Sequence, residues 1–156
     1  MSKNNLRITI VIAALILVLS GIYFLTSFHP KSEAVKNYAE VFKSPSCGCC
    51  NGYIAALESD GFEVKSVNMD DLTAIKNKYN IPTSMQSCHT TIIGRYFIEG
   101  HVPLEAVKKL LQEQPDIDGI ALPGMPIGTP GMPGPKESPF VIYQIKNGQY
   151  SEFVKI

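Results

Sequence analysis

The 156-residue chain has no tryptophan and no net charge, 14 Lys+Arg balancing 14 Asp+Glu. That balance leaves no basic surplus or stripe to neutralise phosphates, and the aromatic residues are not interleaved with arginine, so nucleic acid is excluded as a partner. There is no phosphate-cradling glycine loop, no Ser-His-Asp order and no paired carboxylate, which removes nucleotide and hydrolytic chemistry. Histidine is scarce as well, with three residues, and so is cysteine, with four. The cysteines are not scattered, however: Cys47, Cys49 and Cys50 lie within four residues, and Cys88 stands alone. With 45% hydrophobic and 18% charged residues, the chain has the means to bury a core.

One long hydrophobic run is present, at the N-terminus. Lys3 and Arg7 precede an almost unbroken apolar stretch over residues 8–25, long enough to span a bilayer. Basic residues before the span place the N-terminus in the cytoplasm and the rest of the chain outside. Two readings stand: an uncleaved single-pass anchor in the cytoplasmic membrane, or a signal peptide cut near Val18-Leu19-Ser20-Gly21 to leave a soluble periplasmic protein. The missing A-x-A site favours the anchor, and Ile22, where a lipidated cysteine would have to stand, argues against a lipoprotein. Both readings export the domain. The chain therefore divides into an anchor or signal at 1–28, a tether at 29–38 containing His29 and Pro30, and a folded domain at 39–156.

Within that domain element types alternate. Residues 39–43 read as a strand, and Ser44-Pro45-Ser46 turns into the cysteines. Residues 51–60 read as a helix with Tyr53, Ile54 and Leu57 on one face and Gly61 as its stop. A strand at 62–68 leads to a second helix capped by Asp70 or Asp71, carrying Leu72, Ile75 and Tyr79 and ending before Pro82. Residues 90–93 and 96–99 make a hairpin about Gly94-Arg95. Pro103 suits the first turn of a third helix with Leu104, Val107, Leu110 and Leu111 as its stripe. A Gly/Pro-rich stretch fills 122–135, and Asn147-Gly148 joins two strands at 140–145 and 150–154. The order β-α-β-α-β-β-α fits an α/β sandwich of thioredoxin type with a C-terminal β-hairpin, preceded by one N-terminal transmembrane helix.

Cys47 and Cys50 form a C-x-x-C pair between a strand and a helix, the place of a thiol redox motif. Unpaired N–H groups and the helix dipole favour thiolate there, and Gly48 lets the loop close tightly. Cys49 changes the balance. A dithiol oxidoreductase needs two sulfurs, whereas three thiolates in four residues suit a soft metal such as Cu(I), and closely spaced thiolates can bridge several ions. The alternatives are redox chemistry at Cys47 and Cys50, and a pair of structural disulfides.

Other candidate ligands cluster nearby in sequence. Met85, Cys88 and His89 share one segment, and His101 precedes the third helix. Neighbours on a strand face opposite ways, which turns His89 away from Cys88. Pro123-Gly124-Met125-Pro126 recurs seven residues on as Pro130-Gly131-Met132-Pro133, each copy presenting one thioether on a stiffened turn. A methionine in such a loop otherwise plugs the core; the duplication favours a ligand-bearing lid. His101 reads equally as a ligand or a helix-start residue, Met69 as core, and His29 as an inert tether residue. The spacings fit neither zinc nor iron–sulfur patterns.

Four separated motifs, Lys43-Ser44-Pro45-Ser46-Cys47-Gly48-Cys49-Cys50, Ser87-Cys88-His89-Thr90, Glu99-Gly100-His101-Val102-Pro103 and Pro123-Gly124-Met125-Pro126, resemble a bacterial family of unknown function that includes the copper-resistance proteins called CopG. The resemblance runs from about residue 39 to the C-terminus. It implies a thioredoxin-like fold, an exported setting, and copper or silver handling, with Cys47, Cys49, Cys50 and Cys88 binding copper. The reading that follows is an extracytoplasmic protein holding copper, as Cu(I) or Cu(II), through Cys47, Cys49, Cys50, Cys88, His101, Met125 and Met132. Its expected partners are copper ions, other copper-handling envelope proteins, and the membrane through its N-terminal helix. The runner-up is a thiol–disulfide oxidoreductase with Cys47 as nucleophile and Cys50 as resolving thiol. Against it stands the absence of a proline immediately before the strand facing the motif, Pro82 lying seven residues upstream of His89. An enzymatic role is not assigned.

Overall fold

The computed structural model describes residues 37–156. The anchor expected at 1–28, and the tether at 29–38 save for its last two residues, lie outside the described residues, and among those described no helix is long and apolar enough to cross a membrane. Strand β1 spans Tyr38–Lys43, so it begins inside the segment read as tether. It is followed by α1 (Gly48–Ser59), β2 (Glu63–Asn68), α2 (Thr73–Lys78), a 3-10 turn at Thr83–Met85, β3 (His89–Ile93), β4 (Tyr96–Glu99), α3 (Leu104–Glu113), β5 (Gly119–Ala121), β6 (Val141–Lys146) and β7 (Gln149–Lys155). The seven strands form one mixed sheet in the order β2-β1-β3-β4-β5-β6-β7. The β1/β2 and β4/β5 pairs are parallel and the others antiparallel.

The alternation of side chains along each strand divides the core between the two faces of the sheet. Ala39, Val41, Ile98, Ile120 and Ile142 face Tyr53 and Leu57 of α1 and Val107 and Leu110 of α3. Phe97, Ala121 and Ile145 point the other way, against Ile81 and Met85, with Tyr79 packed at the margin. Leu57 and Leu110 are fully buried, each worth about 1.5–3 kcal/mol relative to exposure. Truncating Leu110 to alanine would cost about 2–5 kcal/mol through the cavity it leaves.

Local chemistry sets the element ends. The cap position of α2 is Leu72, not Asp70 or Asp71. Asp71 stands one residue earlier, where its carboxylate accepts the Thr73 N–H at 2.8 Å, and the Thr73 side chain and then its N–H hold that carboxyl below the usual range. Gly61 has the positive φ of +91° that ends α1, and Asn147 and Gly148, at +51° and +75°, make the tight turn between β6 and β7. Two further differences from expectation concern a boundary and an extra strand. Helix α1 starts at Gly48, so the second and third cysteines lie inside its first turn rather than ahead of it. Strand β5 was not expected; at three residues it is too short to show an alternating pattern.

Candidate metal centre

The site forms where three separate segments meet: the start of α1, the residues leading into β3, and the turn after β4. Cys47 ends the loop after β1 and is joined to Cys50 by a disulfide. Cys49 is free and half-buried, its sulfur 3.6 Å from that of Cys47. Cys88 is also free; it occupies the position immediately before β3, and the Cys50 sulfur lies 3.9 Å from its carbonyl oxygen. The four sulfurs lie within 4.8 Å of one another, a set able to hold a metal ion.

A second set shares Cys88. Its sulfur stands 3.1 Å from His101 Nε2 and 3.4 Å from His89 Nδ1, and the three ligand atoms again lie within 4.8 Å. Both imidazoles are fully buried, His89 beside the Tyr53 ring and His101 edge-on to it. His101 Nδ1 is 2.7 Å from the Pro130 carbonyl, which accepts its proton. That bond fixes the tautomer and leaves the Nε2 lone pair facing Cys88, the arrangement of a metal-ligating histidine. His89 Nε2 is buried without a hydrogen-bond partner, a state that costs about 1–3 kcal/mol unless something else meets it.

The electrostatics keep the imidazoles neutral. Burial, then the neighbouring His101 and Lys76, push the His89 pKa down to about 3. Burial also lowers that of His101. Burial and then the adjacent Cys49 push the Cys88 thiol up to about 11. Without a metal, then, Cys88 is a thiol between two imidazole nitrogens.

The expectation that His89 turns away from Cys88 fails. Cys88 precedes the strand instead of lying in it, so the alternation rule does not relate the two residues. On β3, His89 shares its face with Thr91 and Ile93, the face that packs on α1. The segment Ser87-Cys88-His89 was the available signal for it. Met85, grouped with Cys88 by sequence proximity, instead packs with Ile81, Phe97 and Ile145 in the second core cluster. Met69, expected in the core, is half-buried at the end of β2, where its N–H donates to the Lys43 carbonyl.

The Gly/Pro-rich loop closes over the site through its backbone. A Cβ on Gly52 would come within 2.7 Å of Gly131 Cα, so the helix and the second repeat touch main chain to main chain. The Ser87 hydroxyl donates to the Gly124 carbonyl at 2.8 Å. Met132 is half-buried on the segment that touches α1, whereas Met125 is 52% exposed.

On the opposite face of the sheet is a buried polar cluster that sequence reasoning missed. Glu99, fully buried, pairs with Lys76, accepts the Ser87 N–H at 2.6 Å on Oε1 and the Thr90 hydroxyl at 2.6 Å on Oε2. Burial holds the Glu99 carboxyl above the ordinary range, with Lys76 opposing.

Two solved structures, titled copper resistance protein CopG, forms 1 and 2, are similar to this chain. Each is 38% identical with a TM-score of 0.70, covers 76% of this chain, and is itself covered over 96% and 97% of its length. The family described as "Protein of unknown function, DUF411" matches residues 85–132, the span from Met85 to the second repeat. No curated protein matches the chain.

Proposed function

The chain belongs to the family of the copper resistance protein CopG, and from that premise we propose that it is an exported copper-binding protein of thioredoxin-like fold that sequesters or transfers Cu(I). The observation that carries this reading is the convergence of four sulfurs and two imidazoles from three segments, with Cys88 common to both ligand sets. In reduced form Cys47, Cys49, Cys50 and Cys88 would supply thiolates, which Cu(I) prefers, and Cys88, common to both ligand sets, would let one chain take more than one ion. His101 adds Nε2. Met132 is the better placed of the two loop thioethers, with Met125 nearer solvent. The thioredoxin-like reading rests on the C-x-x-C at the start of the helix after β1 and on the β2-β1-β3-β4 order.

The membrane anchor and the extracytoplasmic setting rest on the apolar run at residues 8–25 behind Lys3 and Arg7. A membrane-impermeant thiol reagent added to intact cells should label Cys49; protection until lysis would place the domain inside.

The deciding experiment is an anaerobic Cu(I) titration of the reduced full-length chain against a competing chelator. Tight uptake of more than one ion per chain, abolished by joint replacement of Cys47, Cys49 and Cys50 with serine, is the expected result. Failure to compete at any chelator concentration would sink the reading. The second reading, a thiol–disulfide oxidoreductase, is favoured by one observation, the disulfide between Cys47 and Cys50. It requires Cys49→Ser to retain full dithiol turnover, whereas the cluster reading requires that variant to lose copper.

A further inference from the structure

The Lys76–Glu99 pair lies on the sheet face opposite the sulfurs, yet its hydrogen bonds end on the segment that carries Cys88. Oε1 takes the backbone N–H of Ser87, the residue before Cys88, and Oε2 takes the hydroxyl of Thr90, the residue after His89. Lys76 Nζ is 3.3 Å from the same Thr90 hydroxyl oxygen. Glu99 is the Cα partner of Thr90 across the β3/β4 ladder, and Gly100 N–H donates to the His89 carbonyl at 3.0 Å. His101 follows two residues after Glu99. One carboxylate thus links the two segments that hold Cys88, His89 and His101.

Fold stability gives little reason for such a pair. Replacing a buried ion pair with apolar groups of similar volume is often neutral or stabilising, because both charges must be desolvated. The opposite face already offers an apolar cluster, Ile81, Met85, Phe97, Ala121 and Ile145, that two more apolar side chains would extend. What apolar side chains cannot supply is an acceptor for the Ser87 amide.

We propose that Glu99 is a positioning residue, fixing the backbone on both sides of Cys88–His89 so that the Cys88 sulfur is held against His101 Nε2. Lys76 neutralises the carboxylate and Thr90 sets its orientation. The role in copper binding rests on the function proposed above; the positioning itself does not.

The test compares two double variants of the full-length chain. Lys76→Met with Glu99→Leu removes the acceptor, while Lys76→Met with Glu99→Gln keeps an amide oxygen for Ser87. In the metal-free protein, the Ser87 amide should exchange hydrogen at least about 100-fold faster in the Leu variant, and Cys88 should alkylate about tenfold faster, with Cys49 unchanged. The Gln variant should restore both rates to within about threefold, and Cu(I) affinity should follow, falling about 10–100-fold with Leu and recovering with Gln. Unchanged Ser87 exchange and Cys88 alkylation in a folded Leu variant would overturn the proposal, as would a Gln variant that restores neither. If the Leu variant does not fold, Ser87→Pro against Ser87→Ala asks the question from the other side. Gln86 already has the extended backbone that a following proline requires. Faster Cys88 alkylation in Ser87→Pro alone supports the clamp, and equal rates in both variants refute it. A wild-type chain that binds no copper would remove the function proposed above and leave the metal-free rates to decide the clamp.

Discussion

The two copies of Pro-Gly-Met-Pro are identical in sequence and opposite in circumstance. A side chain on Gly124 would meet nothing within 4 Å, whereas one on Gly131 would collide with the Cys49 carbonyl and reach within 2.7 Å of the Tyr53 nitrogen. The carbonyl before Gly131 accepts the His101 proton; the first copy holds the Ser87 hydroxyl through Gly124. The second repeat is therefore part of the wall of the site and the first is its outer fastening. Both repeat glycines take a positive φ, but only the second is packed against α1.

That contrast can be broken most sharply at Gly131. Its φ of +82° already disfavours any side chain, and the overlap with α1 adds to it. Gly131→Ala should cost about 3 kcal/mol or more, read as a fall in the denaturant midpoint, and should speed the alkylation of Cys49. Gly124→Ala carries only the backbone penalty of its own positive φ, about 1–2 kcal/mol, and should leave the Cys49 rate alone. A comparable loss of stability in both variants would erase the distinction between the repeats. Met132→Leu should lower Cu(I) affinity by about tenfold, about 1.4 kcal/mol, while Met125→Leu stays near wild type; equal losses would make both thioethers ligands. Ser87→Ala, which loses one hydroxyl bond to the first repeat, should cost about 0.5–1 kcal/mol in the same denaturation measurement.

Much of the fold was legible because its signals are local. The expected β-α-β-α-β-β-α order with a closing hairpin matches the observed elements apart from β5 and a short 3-10 turn. The apolar stripe Leu104, Val107, Leu110, Leu111 and the Asn147-Gly148 turn identified their elements without reference to the rest of the chain. What stayed hidden depends on contact between distant segments. Lys76 carries no sequence sign of a buried partner, yet it is only 6% exposed, because Glu99 comes to it from a strand 23 residues away. His89 was misjudged because its side-chain direction depends on where β3 begins, a boundary the alternation does not mark. The cysteines and His101 were legible as a set because they lie in compact motifs. The choice between Gly124 and Gly131, written identically, was not.

The loop carrying both repeats leaves the sheet at β5 and returns at β6, and these two strands are adjacent, with Ala121 opposite Tyr143. Its base is consequently clamped at the width of one ladder whatever its length. Lengthening a flexible loop between fixed ends is inexpensive, about 0.6 kcal/mol per doubling, and residues 133–139 are exposed throughout. Insertions there should leave the register of the terminal hairpin untouched. The chain can thus accept new sequence beside its sulfur site without renegotiating the sheet, an open port for variation next to a wall that admits none.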